Sequence, residues 1–339
     1  TITSCAFIME QTQRSLQGVE ETLIQFFEHH ENKITEENYR ELRPVLSPET
    51  VLALIDEVVA SPLALERIAR NSYVHSLGFV KIVFLYSERV PGGFELRLHI
   101  WWPQEHAEAA APAPEGKHEH GWDFVSTVLA GLIENQRYRL RALLPEELAI
   151  FKHFEKRMMD FSPSQVAQLL ERLDQLETLR LAHTSSRLPT RSGGVELIQA
   201  QVDIEGLQAL TRLSASELET MTNIYIKYSN QREEGSTLER YAPSGKWFVA
   251  PVDVQLIPQG ETYFHPQELG HRLFIPPEDF LSTLLVTGPA YPDKSSGELV
   301  HTTVGKEENS LRERTYYTPD TLRDELLRYR KVLVATYFS

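Results

Sequence analysis

Cysteine is nearly missing from this chain: Cys5 is the only one among 339 residues. That excludes an internal disulfide framework and a cysteine-rich zinc site, and makes a reducing, cytoplasmic setting the expectation. Positive charge is also short, with 34 Lys and Arg against 48 Asp and Glu, a net charge of −14. A surface of that sign repels phosphate backbones and anionic lipid, so neither nucleic acid nor a membrane is expected as a partner. No apolar run approaches the roughly 20 residues of a membrane helix, and the first residues carry no secretory-leader pattern. There is no glycine-rich phosphate loop and no internal repeat. What is present is ordinary globular composition, 41% hydrophobic, in a length that suits one large domain or two smaller ones.

The hydrophobic periodicity changes along the chain. From about Glu10 to His30, Leu16, Val19, Leu23 and Phe26 or Phe27 recur at helical spacing. Ser47-Pro48-Glu49-Thr50 offers a capping serine and a proline at the first helical position, which predicts a helix through Ala60. From Tyr73 the pattern becomes strand-like. Phe79 to Leu85 is a compact apolar run, Val90-Pro91-Gly92-Gly93 is a turn, and Phe94 to Trp101 alternates with period two. After a Pro/Ala/Glu loop over Pro103 to Lys117, strands are predicted over Asp123 to Leu132 and Gln136 to Leu143. Helices return between about Pro145 and Arg232. Ser162-Pro163 starts one of them, and Ser214 with Glu217 starts another that is expected to reach Tyr228. A loop over Arg187 to Gly194 and a short strand over Val195 to Val202 lie between. Strand chemistry resumes at Lys246 to Ile257, Arg272 to Ile275 and Leu281 to Val286, and Thr318-Pro319 caps a terminal helix. This layout points to a β-barrel decorated with helices.

Within it stands His118-Glu119-His120-Gly121-Trp122, where a loose loop becomes a strand. Residues i and i+2 of a strand share a face, so both imidazoles can converge on one ion. Taken alone, the spacing more often describes two polar residues at an exposed strand end. A third ligand has to come from a distant strand; His271, after Gly270, is the first candidate and His265 the second. Asp123 is the only carboxylate placed to join as a fourth ligand, and it also reads as a plain strand-entry residue. The other histidines, among them His29, His30, His106 and His153, lie on polar helical or loop stretches.

The order FELRLHIWWP (94–103), HEHGWDFVSTVLAGLI (118–133) and GHRLFIPPEDFLSTLLVTGP (270–289) resembles the cupin superfamily, in particular its cysteine dioxygenase-like, three-histidine iron cupins. The resemblance covers roughly 73–143 and 236–290. It implies a cupin (jelly-roll-like) barrel, mainly β with added α. An N-terminal helical segment would occupy 1–72, the barrel halves 73–143 and 236–310, a mainly helical insertion 144–235, and a C-terminal helix 311–339. The family's metal ligands fall on His118, His120 and His271, holding Fe(II), although imidazole also suits other divalent metals. The activity implied is oxygenation of a small metabolite by O2. The thiol dioxygenases carry a Ser-x-His-x-Tyr run where this chain has Ser282-Thr283-Leu284-Leu285-Val286, and their carboxylate-binding arginine aligns with Phe84. A substrate other than cysteine is therefore expected.

Three neutral imidazoles leave the charge of the ion uncompensated, which favours an anionic chelating substrate such as an amino acid or hydroxy acid. Arg97 and His99 share the face opposite Leu96 and Leu98, and with Tyr263 they are the candidate substrate contacts. The alternative places Arg97 and His99 in solvent on a half-exposed strand. Lys81 and Trp122 are further candidates for pocket lining, and Arg272 for a structural ion pair. Two other readings stay open: a cupin isomerase or lyase with a histidine as general base, and a cupin that binds a small ligand without transforming it. The insertion is a candidate homodimer surface.

Overall fold

Short polar residues start the helices. In the computed structural model, which describes residues 14–75, 78–103, 116–184, 204–232, 238–275, 279–292, 297–300 and 310–338, eight helices occur in chain order. They are α1 (Leu16–His29), α2 (Pro48–Ala60), α3 (Pro62–Ala69), α4 (Pro145–Met158), α5 (Pro163–Thr184), α6 (Ile204–Thr211), α7 (Ala215–Met221) and α8 (Pro319–Tyr337). Ser15, Ser47, Ser61 and Thr318 each accept a hydrogen bond from the backbone N–H three residues on, at 3.1–3.2 Å, satisfying donors the helix cannot. The Ser61-Pro62 start of α3 repeats the Ser47-Pro48 device of α2.

Among the described residues, fourteen strands join in two antiparallel sheets: β1 (Tyr73–Val74), β2 (Val80–Ser87), β3 (Phe94–Trp101), β4 (His118–Glu119), β5 (Phe124–Ala130), β6 (Leu132–Ala142), β7 (Ile224–Arg232), β8 (Leu238–Pro258), β9 (Thr262–His265), β10 (Leu269–Phe274), β11 (Leu281–Thr287), β12 (Gly297–Val300), β13 (Ser310–Glu313) and β14 (Thr315–Tyr316). The first sheet runs β14-β1-β2-β3-β11-β5-β9. The second runs β13-β8-β6-β10-β4-β12-β7, and β7 pairs again with the long β8, so the ladder returns on itself.

Period-two alternation decides what each face meets. On β3, Phe94, Leu96, Leu98 and Ile100 are buried in one cluster with apolar residues of α1, α2, α3 and α8. Each such side chain withdrawn from water contributes about 1.5–3 kcal/mol. The helices therefore cover one face of the first sheet and bring the two ends of the described chain together. Phe124, Val128, Tyr263, Leu281 and Leu285 of that sheet pack with Ile133, Ile257 and Leu273 of the second, so the sheets meet over a small apolar core. Helices α4 to α7 pack separately on Ile224, Ile226 and Tyr228 of β7. Gly131 (φ +85°) makes the turn from β5 to β6, where a Cβ would stand 2.5 Å from the Phe280 carbonyl oxygen.

Two expectations change. The helix begun at Ser214 stops at Met221, and Ile224–Arg232 is strand β7. Helices contribute as much of the described chain as strands, so the architecture is mixed α/β rather than mainly β. The loop expected over 187–194 and the strand expected over 195–202 lie outside the described residues. Among the described residues, no helix is long and apolar enough to cross a membrane.

Candidate metal centre

Strand β4 is two residues long and lies between β10 and β12, with His118 opposite His271 on one side and Glu298 on the other. Alternation turns His118 and His120 to one face and Lys117 and Glu119 to the other. Gly270, just before His271, makes the approach of β4 possible: a Cβ there would meet the His118 carbonyl oxygen and Leu140 Cδ1, both at 3.2 Å.

The structure brings His118, His120 and His271 together, with one nitrogen of each lying within 4.8 Å of the others. The rings are 4.8 Å (His118–His120), 4.4 Å (His118–His271) and 5.1 Å (His120–His271) apart between centroids. The Nε2 atoms of His120 and His271 stand 3.0 Å apart. Two nitrogens that each bind one ion at about 2.1 Å, at a right angle, have about this separation. The distal nitrogens are suitably engaged. His271 Nδ1 lies 3.0 Å from Asn135 Oδ1, and the Asn135 amide nitrogen donates to Gln255 Oε1 at 3.3 Å, which fixes the amide with its oxygen toward the ring. Nδ1 of His271 therefore donates and Nε2 is left as a lone pair. His118 Nδ1 donates in the same way to the Gly116 carbonyl at 2.9 Å. An imidazole whose far N–H is tied to an oxygen is oriented for metal ligation.

Charge state agrees with that role. Burial, followed by the neighbouring His118, pushes His120 well below the ordinary histidine range. Burial, followed by His265, does the same to His271. Both are neutral at neutral pH, as ligation requires. The half-buried His118 and His120 and the buried His271 form a group that could hold a metal ion, and the donor set, three nitrogens and no thiolate or carboxylate, fits a borderline transition metal.

His265 stays outside this group. Its ring stacks on Phe124 at 4.9 Å and packs 4.3 Å from His271, its Nε2 donates to the Leu269 carbonyl at 3.1 Å, and its buried Nδ1 has no partner. Asp123 uses both oxygens elsewhere, Oδ1 on the Gln267 amide at 2.8 Å and Oδ2 on the Tyr291 hydroxyl at 2.6 Å. It braces the loops around the strand entry.

Arg97 and His99 lie on the β3 face turned away from the helices, so neither stands in solvent as a half-exposed strand would have it. Arg97 is buried, ion-paired through Nε to Glu95 Oε2 at 2.5 Å, and its guanidinium covers Trp122 at 4.9 Å. Trp122 in turn packs 5.3 Å from His120, so one ring separates Arg97 from the histidines. Burial opposes ionisation of Glu95, but Arg97, Lys81 and Arg314 outweigh it and hold its pKa down to about 2. His99 packs against Phe79 at 5.0 Å, and its Nε2 is buried without a partner. Burial, reinforced by Lys81 and Arg97, pushes it well below the usual range. Tyr263 sits on β9 opposite Ser126, 6.1 Å from Phe124, in the core between the sheets. Lys81 approaches Glu95 at 4.0 Å and donates to the Tyr73 hydroxyl at 3.2 Å.

The supporting residues Asn135, Gln255 and Glu95 carry no motif. Asn135 is 136 positions from the histidine it orients, and only strand register connects them. Compared with known proteins, the chain matches no family model, no curated sequence and no solved structure.

Proposed function

We propose that this protein is a mononuclear non-haem iron oxygenase of the cupin type, related in its metal cage to the cysteine dioxygenase-like cupins. It would use O2 to oxidise a small anionic chelating metabolite other than cysteine. The observation that carries this reading is the meeting of His118, His120 and His271, with His120 Nε2 and His271 Nε2 at 3.0 Å. Bound Fe(II) would supply the redox chemistry that joins oxygen to a coordinated substrate. The chain itself orients His271 through Asn135 and His118 through the Gly116 carbonyl. Trp122 and Phe124 shield the His120 ring from water, and Arg97 and Lys81, two cations on the one carboxylate of Glu95, leave positive charge on the adjoining wall. Without a carboxylate among its ligands, the ion keeps its charge for an anionic substrate.

His99 favours a second reading. A buried imidazole nitrogen with no partner is placed as a general base, which would serve a metal-dependent isomerase or lyase. Protein purified without oxygen should contain close to one iron per chain and should consume oxygen with one or more amino or hydroxy acids. Substrate conversion without oxygen uptake would replace the first reading by the second. Protein that takes up no iron, zinc, nickel or manganese would sink both.

A further inference from the structure

The back of the metal-bearing strand is held as firmly as its front. Lys117 and Glu119, the residues on either side of His118, point away from the histidines. Lys117 is buried, donates to the Tyr225 hydroxyl at 2.5 Å and lies 4.5 Å from the centre of that ring and 5.4 Å from that of Tyr138. Glu119 Oε2 meets Lys227 Nζ at 2.5 Å, with each side chain about 15% exposed or less. Tyr225 and Lys227 are two residues apart on β7 and so share a face. They reach β4 across β12, whose Leu299 lies opposite Lys227 and donates its amide to the Lys117 carbonyl at 2.8 Å. β7 is also the strand on which helices α4 to α7 pack, through Ile224, Ile226 and Tyr228 on its other face.

We propose that Tyr225 and Lys227 are positioning residues for the metal centre, acting on His118 and His120 through Lys117 and Glu119. A two-residue strand has too few ladder hydrogen bonds to set the direction of its side chains alone. Two side-chain anchors at i−1 and i+1 fix its roll about its own axis, which is the motion that would swing both imidazoles away from His271. The helix-bearing segment is thereby tied to the spacing of the ligands. Because the anchors lie on the opposite face, they do this without touching an ion.

The inference rests on the metal-binding reading, and one set of variants separates the two. In Glu119→Gln and Lys227→Met, Co(II) affinity measured by chelator competition should fall about tenfold to a hundredfold, the range for loss of a group that orients a ligand. The visible Co(II) spectrum should change as well. The exchanged pair Glu119→Lys with Lys227→Glu should restore both. In the metal-free proteins, amide hydrogen exchange over 117–120 should quicken in the single variants and slow again in the exchanged pair, while exchange in β3 stays unchanged. Unchanged affinity and spectrum in the single variants, with wild-type protein binding Co(II), overturns the positioning role alone. Wild-type protein that binds no Co(II) overturns the metal reading, and the exchange pattern over 117–120 then decides whether β4 is anchored by β7.

Discussion

The two walls that face each other between the sheets are built on opposite electrostatic principles. The wall from the second sheet presents nitrogen donors: His118, His120 and His271, with Asn135 and a backbone carbonyl behind two of them. The wall from the first sheet presents full charges, with the two cations Arg97 and Lys81 held against the one carboxylate of Glu95. Burial acts on both and gives contrary results. It strips the proton from His120 and His271, and it fails to protonate Glu95, which has three cations around it. One wall could thereby hold a cation, and the other already carries more cations than carboxylates.

His271→Ala tests the first wall. It should lower metal affinity by more than the roughly 100-fold that loss of an outer partner causes, since a direct donor is gone. Equilibrium dialysis at neutral pH checks this, and a variant that keeps wild-type metal content breaks the comparison. Glu95→Gln tests the second wall. It leaves Arg97 buried beside a neutral amide and should cost about 3 kcal/mol of stability in urea unfolding, the lower end for breaking a buried ion pair, with metal affinity unchanged. A metal loss equal to that of His271→Ala would show that the walls act as one unit.

The smallest effect is in pH. Burial holds His265 down to about 3, and His99, His120 and His271 are also lowered. The unfolded chain takes up these protons near pH 6.5, whereas the folded chain refuses them until far lower pH. Stability is therefore full above about 6.5 and falls as pH drops. At pH 5 His265 alone should account for up to about 2 kcal/mol of that loss, at 1.36 kcal/mol per pH unit. His265→Gln should flatten the slope between pH 7 and 5 in the metal-free protein. An unchanged slope would remove His265 from the account.

Elements defined by local signals were legible in the sequence. The Phe94–Trp101 strand and the Pro48–Ala60 helix occur with the predicted bounds, because alternation and a Ser-Pro cap act within a few residues. His118, His120 and His271 were also legible, since an i, i+2 pair and a histidine entering a later strand are sequence patterns. Strand β7 was not. The capping box at Ser214 is real, but Thr222 and Asn223 turn their side chains back to the Glu219 carbonyl at 2.7 and 3.1 Å. That ends the helix after two turns. The strand that follows is stabilised by β8 and β12, its partners further along the chain. β12 and the side chains that orient the histidines from behind likewise depend on register across the second sheet, and β9 depends on its pairing with β5 in the first.

His120 and His271 stand 151 positions apart. Any ion they shared would close a loop containing helices α4 to α7, and forming that contact early would carry the entropy cost of a very long loop. The HEH pair leaves the ribosome long before its third partner exists. A metal site built on these three residues would therefore be complete only once β10 lies beside β4, so that any ion would meet a finished template rather than a nascent chain.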